Sequence, residues 1–213
     1  MTFREKLASR AKKAGISVQT DVISSLEAYF ELLQKWNSKV SLTSLPIEKL
    51  GDEAIDRLLI EPLVALKYVP QRATVIDVGS GGGSPAIPMR IANPTISLRM
   101  VESKTRKAAF LREVVRQLQL ERTAIESSRF EELLARPELH EAADVVTLRA
   151  VKVERKTLMG LQAFLKPGGS LLLFRAGSAG EAELANPMLV WQANHPLLPA
   201  LHSELAVFTK ASG

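Results

Sequence analysis

Asp77-Val78-Gly79-Ser80-Gly81-Gly82-Gly83-Ser84-Pro85 places an acid, four glycines and two serine hydroxyls directly behind an apolar run that starts at Thr74. Such a stretch fits a buried parallel strand that ends in a glycine-rich turn, where backbone N–H groups and a helix start lie beside a ligand. A Cβ in that turn would obstruct both the tight bend and the ligand's approach. Nineteen residues after Gly83, a second apolar run (96–101) ends in Glu102. A carboxylate there can accept hydrogen bonds from both hydroxyls of a ribose. Turn and acid together describe a site for a nucleoside cofactor.

The spacing narrows the choice of nucleoside. Nicotinamide sites use G-x-G-x-x-G, whose third glycine lets helix and strand pack closely. Counted from Gly79, that third position is Ser84, and Pro85 and Pro88 follow. With Asp77 two residues before the first glycine, the pattern instead fits the first motif of S-adenosylmethionine (SAM) methyltransferases. No Lys-Ser or Lys-Thr follows at Walker spacing. The chain has no cysteine, which removes disulfides, thiolate metal sites and a cysteine nucleophile. His140, His195 and His202 form no His-x-x-x-His pair and join no carboxylate cluster, so no metal is expected.

These residues need a scaffold. From residue 73, strand candidates (74–78, 96–101, 124–127, 144–148, 170–174) alternate with helix candidates (85–92, 104–118, 130–135, 154–165). Alternation with short connections implies βαβ units and a doubly wound, mostly parallel sheet. Pro167-Gly168-Gly169 reads as the turn that ends a helix and admits the fifth strand. After the glycine-containing run 177–180 a looser segment leads to a terminal strand at 205–209. The first 70 residues read as a helical extension and 71–213 as the cofactor-binding domain. Thr2 and Glu5 have capping-box spacing. Asp21 is expected to cap a second helix, in which Leu26, Tyr29, Phe30, Leu33 and Trp36 recur at helical intervals. A third helix is expected over 47–68, kinked or broken at Pro62.

The 213 residues are 46% apolar and 24% charged, ordinary for a soluble domain. No apolar run approaches the ~18 residues of a membrane span, and no signal peptide is expected behind the basic N-terminus. A cytoplasmic location follows as the simplest expectation. Net charge is +5, with a sequence pI near 9.6. That surplus is compatible with a polyanionic partner without requiring one. Candidate phosphate contacts are Arg4, Lys6, Arg10, Lys12 and Lys13 at the N-terminus, and Lys104, Arg106, Lys107, Arg112 and Arg116 on a helix face.

Further motifs stand in one register. Leu32-Leu33-Gln34-Lys35-Trp36-Asn37 is followed by Leu42-Thr43, and the glycine turn continues into Pro85-Ala86-Ile87-Pro88. Glu102-Ser103-Lys104, Ser128-Arg129-Phe130-Glu131-Glu132 and Leu148-Arg149-Ala150 come next. In order and spacing this set resembles the RsmG (GidB) family of small-subunit ribosomal RNA guanine-N7 methyltransferases, over roughly residues 25–177. The resemblance implies a Rossmann-like class I methyltransferase fold with a seven-stranded sheet, SAM as cofactor and 16S rRNA or the small subunit as partner. Asp77, Gly79, Gly81, Gly83 and Ser84 would form the SAM loop, and Glu102 would hold the ribose. Phe130 and Glu131 would flank the adenine, and Arg149 would stand at the mouth of the cleft. Members of the family usually carry His-x-x-Asp-Ser before the sheet; here the segment reads Arg57-Leu58-Leu59-Ile60-Glu61-Pro62. Ser41 stands for the family's asparagine before Leu-Thr, and Arg175-Ala176-Gly177 for its Lys-Gly.

Guanine N7 is a neutral lone-pair nucleophile, so methylation there requires no base to remove a proton first. Positioning and electrostatics suffice, which suits a chain without an evident acid–base dyad; Arg149 is the one catalytic candidate. A monomer is expected. Three other readings stay open: a methyltransferase of another RNA, a protein or a small molecule; a catalytically silent RNA-binding relative; and a nicotinamide dehydrogenase. Thermal-shift titration separates the cofactors. SAM at one hundred times its Kd is expected to add about 2.7 kcal/mol of stability, while NAD is expected to leave the melting temperature unchanged.

Overall fold

The computed structural model describes residues 1–149, 153–176 and 187–212. Ala150 and the run 177–180 lie outside the described residues. Seven strands form one sheet: β1 (Thr74–Val78), β2 (Ser97–Val101), β3 (Thr123–Glu126), β4 (Ala143–Arg149), β5 (Leu165–Ala176), β6 (Leu189–Leu198) and β7 (Ser203–Lys210). Their order is β3-β2-β1-β4-β5-β7-β6. β1 to β5 run parallel, and β7 is antiparallel to both its neighbours. The strand order reverses between β1 and β4, which opens a crevice at their carboxyl ends.

Two strands differ from the sequence reading. β6 falls in the looser segment, where Gln192, Asn194, His195 and Pro196 break up the apolar pattern. As an edge strand it is partly solvated, so its sequence lacks the apolar run of a central strand. β5 starts at Leu165 rather than after Pro167-Gly168-Gly169. The step from Ala143 to Val145 on β4 faces the longer step from Leu165 to Ser170, so the tripeptide bulges out of the ladder with Gly168 at φ +75°.

Eight α-helices accompany the sheet among the described residues: α1 (Phe3–Lys13), α2 (Thr20–Val40), α3 (Asp52–Ile55), α4 (Glu61–Ala65), α5 (Ala86–Ala92), α6 (Thr105–Gln117), α7 (Phe130–Leu133) and α8 (Arg155–Leu161). The Thr2–Glu5 capping box forms as expected, with both reciprocal hydrogen bonds. Asp21 does not cap α2. Gln19 occupies that position without a side-chain bond, and Asp21 lies in the first turn, where its charge favours the helix dipole.

The expected long third helix is interrupted one turn before its proline. A π-helical turn, Asp56–Ile60, joins α3 to α4. The Glu61 N–H reaches back five residues to the Asp56 carbonyl, so the Arg57 carbonyl has no helical donor. Pro62 has no N–H, so the Leu58 carbonyl four residues earlier loses its α-helical donor. Both oxygens find partners from elsewhere: Arg149 donates to Arg57 O at 2.5 Å, and the Ser84 hydroxyl to Leu58 O at 2.8 Å.

Alternation along β1 divides the core. Val75 belongs to the cluster that holds Leu7, Phe30, Leu59 and Phe110 on one face; Ile76 belongs to the cluster of Leu148, Leu158, Phe164 and Phe208 on the other. The helices of residues 1–70 therefore share a core cluster with the sheet. Phe3 meets Phe30 with ring centroids 5.4 Å apart, and Trp36 meets Phe110 at 5.8 Å, which holds α2 against α6.

The close approach of α5 to β1 depends on Gly83, at φ +90°. A Cβ there would lie 2.3 Å from Ile87 Cδ1 and 3.3 Å from Leu111 Cδ2. Gly83→Ala is expected to cost about 3 kcal/mol, through backbone strain and overpacking, in urea denaturation.

Candidate cofactor and substrate cleft

A cleft of about 1100 Å³ opens above the carboxyl ends of β1, β2, β4 and β5. Its floor is the 79–84 turn, with Glu102 and Lys107 on one side and Arg149, Phe174 and Arg175 on the other. Leu33, the 41–45 loop after α2, and Arg57, Leu58 and Glu61 complete the wall. Sites for small ligands are commonly ~300–1,000 Å³, so there is room for a second group beside a nucleoside cofactor.

The turn is pinned from several directions. Gly79 and Ser80 both donate to the Val101 carbonyl, at 2.9 and 3.1 Å, which ties the end of β1 to the end of β2. Glu102, 6% exposed, accepts from Gly81 N at 2.9 Å through Oε2 and from Lys104 N at 2.7 Å through Oε1. Each carboxylate oxygen keeps a further lone pair for a ribose hydroxyl. From α2, the buried Tyr29 hydroxyl donates to Gly82 O at 2.5 Å. A Cβ on Gly82 would lie 3.1 Å from Leu33 Cδ1, so a larger residue there would crowd the approach of the turn to α2. The 41–45 loop is held in turn by Asn37, whose Oδ1 accepts from Leu42 N and Thr43 N.

The residues expected from the sequence divide into two groups. Gly79, Gly81, Ser84, Glu102 and Arg149 line the cleft. Asp77 and Gly83 lie beneath the turn and do not line it. Gly83 serves packing, whereas Asp77 is 1% exposed and accepts from Thr147 Oγ1 at 2.6 Å. Burial pushes the Asp77 carboxyl up to about 6 against the opposing Ser80 and Thr147 bonds, and its Oδ2 has no partner. The Phe130 ring faces Gly160 and Leu134 rather than the cleft, and Glu131 is exposed outside the lining. A ring four residues past the end of the edge strand β3 packs against Gly160 of α8, a contact that the sequence does not announce.

Ser84 and Arg149 are engaged with each other. Arg149 Nη1 donates to Ser84 Oγ at 3.1 Å, its Nη2 pairs with Glu61, and its guanidinium lies 5.2 Å over the Phe174 ring. Burial, and after it the charge of Arg57, lowers the Arg149 pKa to about 9. Tyr29, Thr147 and Glu61 are the site residues missed by sequence reasoning. Glu61 had a signal: it is the one acid in the apolar run Leu58 to Ala65.

Among the proposed phosphate contacts, Arg4, Lys6 and Arg10 are tied into the fold. Arg4 pairs with Glu27, Lys6 with Asp52, and Arg10 with Asp52 and Asp56. These pairs fasten α1 to α2 and to the α3 segment. Arg116 pairs with Glu113 on its own helix. Lys12, Lys13, Lys104, Arg106 and Arg112 stay exposed, and Lys107 is half-buried at the cleft. None of the three histidines lines the cleft: His140 contacts the Leu134 carbonyl, His195 stacks on Tyr68, and His202 lies in the turn before β7. Among the described residues no group of three or more His, Asp or Glu could hold a metal, and no helix is long and apolar enough to cross a membrane.

The Asp77 carboxyl gives the fold a pH signature. Its folded pKa lies above its unfolded value of 3.8, so its contribution is fully present below about pH 4 and is lost as pH rises through 6. Between pH 4 and 6.5, Asp77→Asn is expected to gain up to about 3 kcal/mol on the wild type in paired denaturation curves. A constant gap would show that Asp77 titrates normally.

Comparison with known proteins gives this cleft a family. The profile of the rRNA small subunit methyltransferase G (GidB) family matches residues 22–202. A ribosomal RNA small subunit methyltransferase G from Sorangium cellulosum is 34% identical over 187 residues, 87% of this chain and 77% of that protein. One from Leuconostoc citreum is 32% identical over 186 residues, 85% and 76% of the two chains. Among solved structures, a SAM-dependent methyltransferase from Aquifex aeolicus superposes with TM-score 0.56 at 16% identity, covering 76% of this chain and 95% of that one. TrmN from Thermus thermophilus gives 0.55 at 16% identity, over 70% and 48%. These likenesses extend to the fold, a class I methyltransferase sheet. The 79–84 turn, the acid after β2 and the match over 22–202 agree, and the chain belongs to the rRNA small subunit methyltransferase G (GidB) family.

Proposed function

We propose that this chain uses SAM to methylate N7 of a guanosine in 16S rRNA, with the cofactor on the 79–84 turn and the target base on the arginine-lined side of the cleft. The observation that carries the reading is the family match across both halves of that cleft. The residues present suit SAM. Glu102 offers acceptors to a ribose, Gly79 and Gly81 line the floor with bare backbone, and the cradle at Gly82 would be filled by a Cβ. When bound, SAM supplies an electrophilic methyl group on a sulfonium. The chain's own part is to orient two partners and exclude water. No general base is needed at N7, and no histidine lines the cleft.

Arg57, Arg149 and Arg175 stand on the acceptor side. In this reading the exposed Lys104, Arg106 and Arg112 of the α6 segment carry RNA toward the cleft, giving salt-dependent binding. Lys107, which lines the cleft, joins that path to the site. The scheme has residues 1–70 covering a catalytic sheet of residues 71–213, and a monomer that works in the cytoplasm on rRNA or the small subunit.

Labelled SAM, incubated with the protein and small subunits from a strain lacking the modification, tests the activity. Mass spectrometry is expected to find N7-methylguanosine in 16S rRNA, and label on any other position would redirect the reading. Glu102→Ala is expected to weaken SAM binding about 10- to 100-fold by calorimetry, the range for hydrogen bonds to a charged group. Unchanged affinity would remove its ribose role.

A further inference from the structure

We propose that Glu61 distinguishes guanine from other bases by accepting a hydrogen bond from the Watson–Crick edge of the target, an inference that rests on the guanine-N7 reading above. Glu61 lies in the segment where this chain departs from the family's His-x-x-Asp-Ser pattern. It is 1% exposed and is among the residues that line the cleft. Its two oxygens are not equivalent. Oε2 is paired with Arg149, whereas Oε1 has no hydrogen-bond partner and only a loose ion pair with Arg57 Nη1, 3.8 Å away and beyond hydrogen-bond reach. A buried acceptor without a donor is destabilising, and such an atom at the wall of a ligand cleft is accounted for when the ligand supplies the donor.

The purine supplies one. Guanine carries its N7 lone pair on one edge and its N1–H and N2 amino donors on another. With N7 turned toward the cofactor, the donor edge is free to meet a different wall. Guanine presents donors at N1 and N2 to a carboxylate oxygen. Adenine has a lone pair at N1 and only C–H at C2, its one amine lying at C6, so an acceptor aimed at the N1–N2 side meets a lone pair that it repels. Glu61 is held for this task. Arg149 is itself fixed by the Arg57 carbonyl, Ser84 Oγ and the Phe174 ring, so the carboxylate it grips has little freedom to turn. With Oε2 occupied, a single oxygen reads the base.

The test first maps the methylated guanosine with the wild-type protein. Absence of N7-methylguanosine at this stage would defeat the general reading rather than this one. Rates of single-turnover transfer are then compared for small-subunit RNA carrying guanosine, inosine (N1–H kept, N2 amine lost) or 2-aminopurine riboside (N2 amine kept, N1–H lost) at that position. All three keep N7. At least one analogue is expected to fall about 10- to 100-fold below guanosine, the range for a lost hydrogen bond to a charged group. Equal rates on all three would overturn the proposal without any variant.

Glu61→Gln then ties the effect to the residue. Its carbonyl oxygen can keep Arg149, which turns the amide NH₂ to the place of Oε1 and puts a donor where the acceptor stood. The variant is expected to transfer methyl to guanosine at least 10-fold more slowly, to lose the penalty against the analogue, and to bind SAM within twofold of wild type by calorimetry. Wild-type transfer by the variant would overturn the proposal. So would an equal loss of SAM affinity, which would assign Oε1 to the ammonium group of the cofactor.

Discussion

Two carbonyl oxygens without α-helical donors organise one wall of the cleft. The π-helical turn releases the Arg57 carbonyl, and Pro62 leaves the Leu58 carbonyl without its i+4 donor. Buried backbone acceptors must be paired, so each fixes a side chain from across the chain. Arg57 O holds Arg149 from the end of β4, and Leu58 O holds Ser84 from the glycine turn. Arg149 then grips Glu61 and bonds Ser84. A short irregularity in one helix thereby joins the glycine turn, the fourth strand and the cleft wall. Breaking any member leaves a buried charge or a buried acceptor exposed to the full desolvation penalty.

The glycine turn has the opposite problem. Glycines at 79, 81 and 82 leave bare backbone at the cleft floor, yet they offer no side chains with which the turn could hold itself. Its shape comes from outside: Glu102 behind β2, Tyr29 and Leu33 on α2, and Ile87 on α5. The N-terminal helices are thus more than a cover, because α2 both buttresses the turn and, through Asn37, sets the 41–45 loop at the cleft edge. Their apolar faces belong to the same core cluster as one face of the sheet.

Charge is distributed by the same logic. Arg4, Lys6 and Arg10 look in the sequence like a basic arm, but each has an acidic partner brought near by folding, and together they clamp α1 onto the body. Lysines and arginines around α6 keep their exposure. Net charge therefore overstates what is available to a polyanion.

The sequence by itself determined the elements that rest on local pattern. The glycine turn after β1, the acid after β2, the alternating strands and helices, and the Thr2–Glu5 cap could all be read from residue type and spacing, because each is set by backbone sterics or periodicity within a few residues. The choice of SAM over a dinucleotide was legible too, in Ser84 and the prolines after it. What only the tertiary structure decided are the partnerships between residues far apart in the chain. Tyr29 reaches Gly82 across 53 positions and Thr147 reaches Asp77 across 70. The same holds for the inward turn of Phe130 toward Gly160, the edge strand β6 and the capture of the basic N-terminus. Hydrogen bonds and ion pairs of this kind depend on which surfaces the sheet brings together, and no periodicity in the chain records that. Pro62 shows the boundary: its missing N–H could be read from the sequence, but that Ser84 would fill the gap could not.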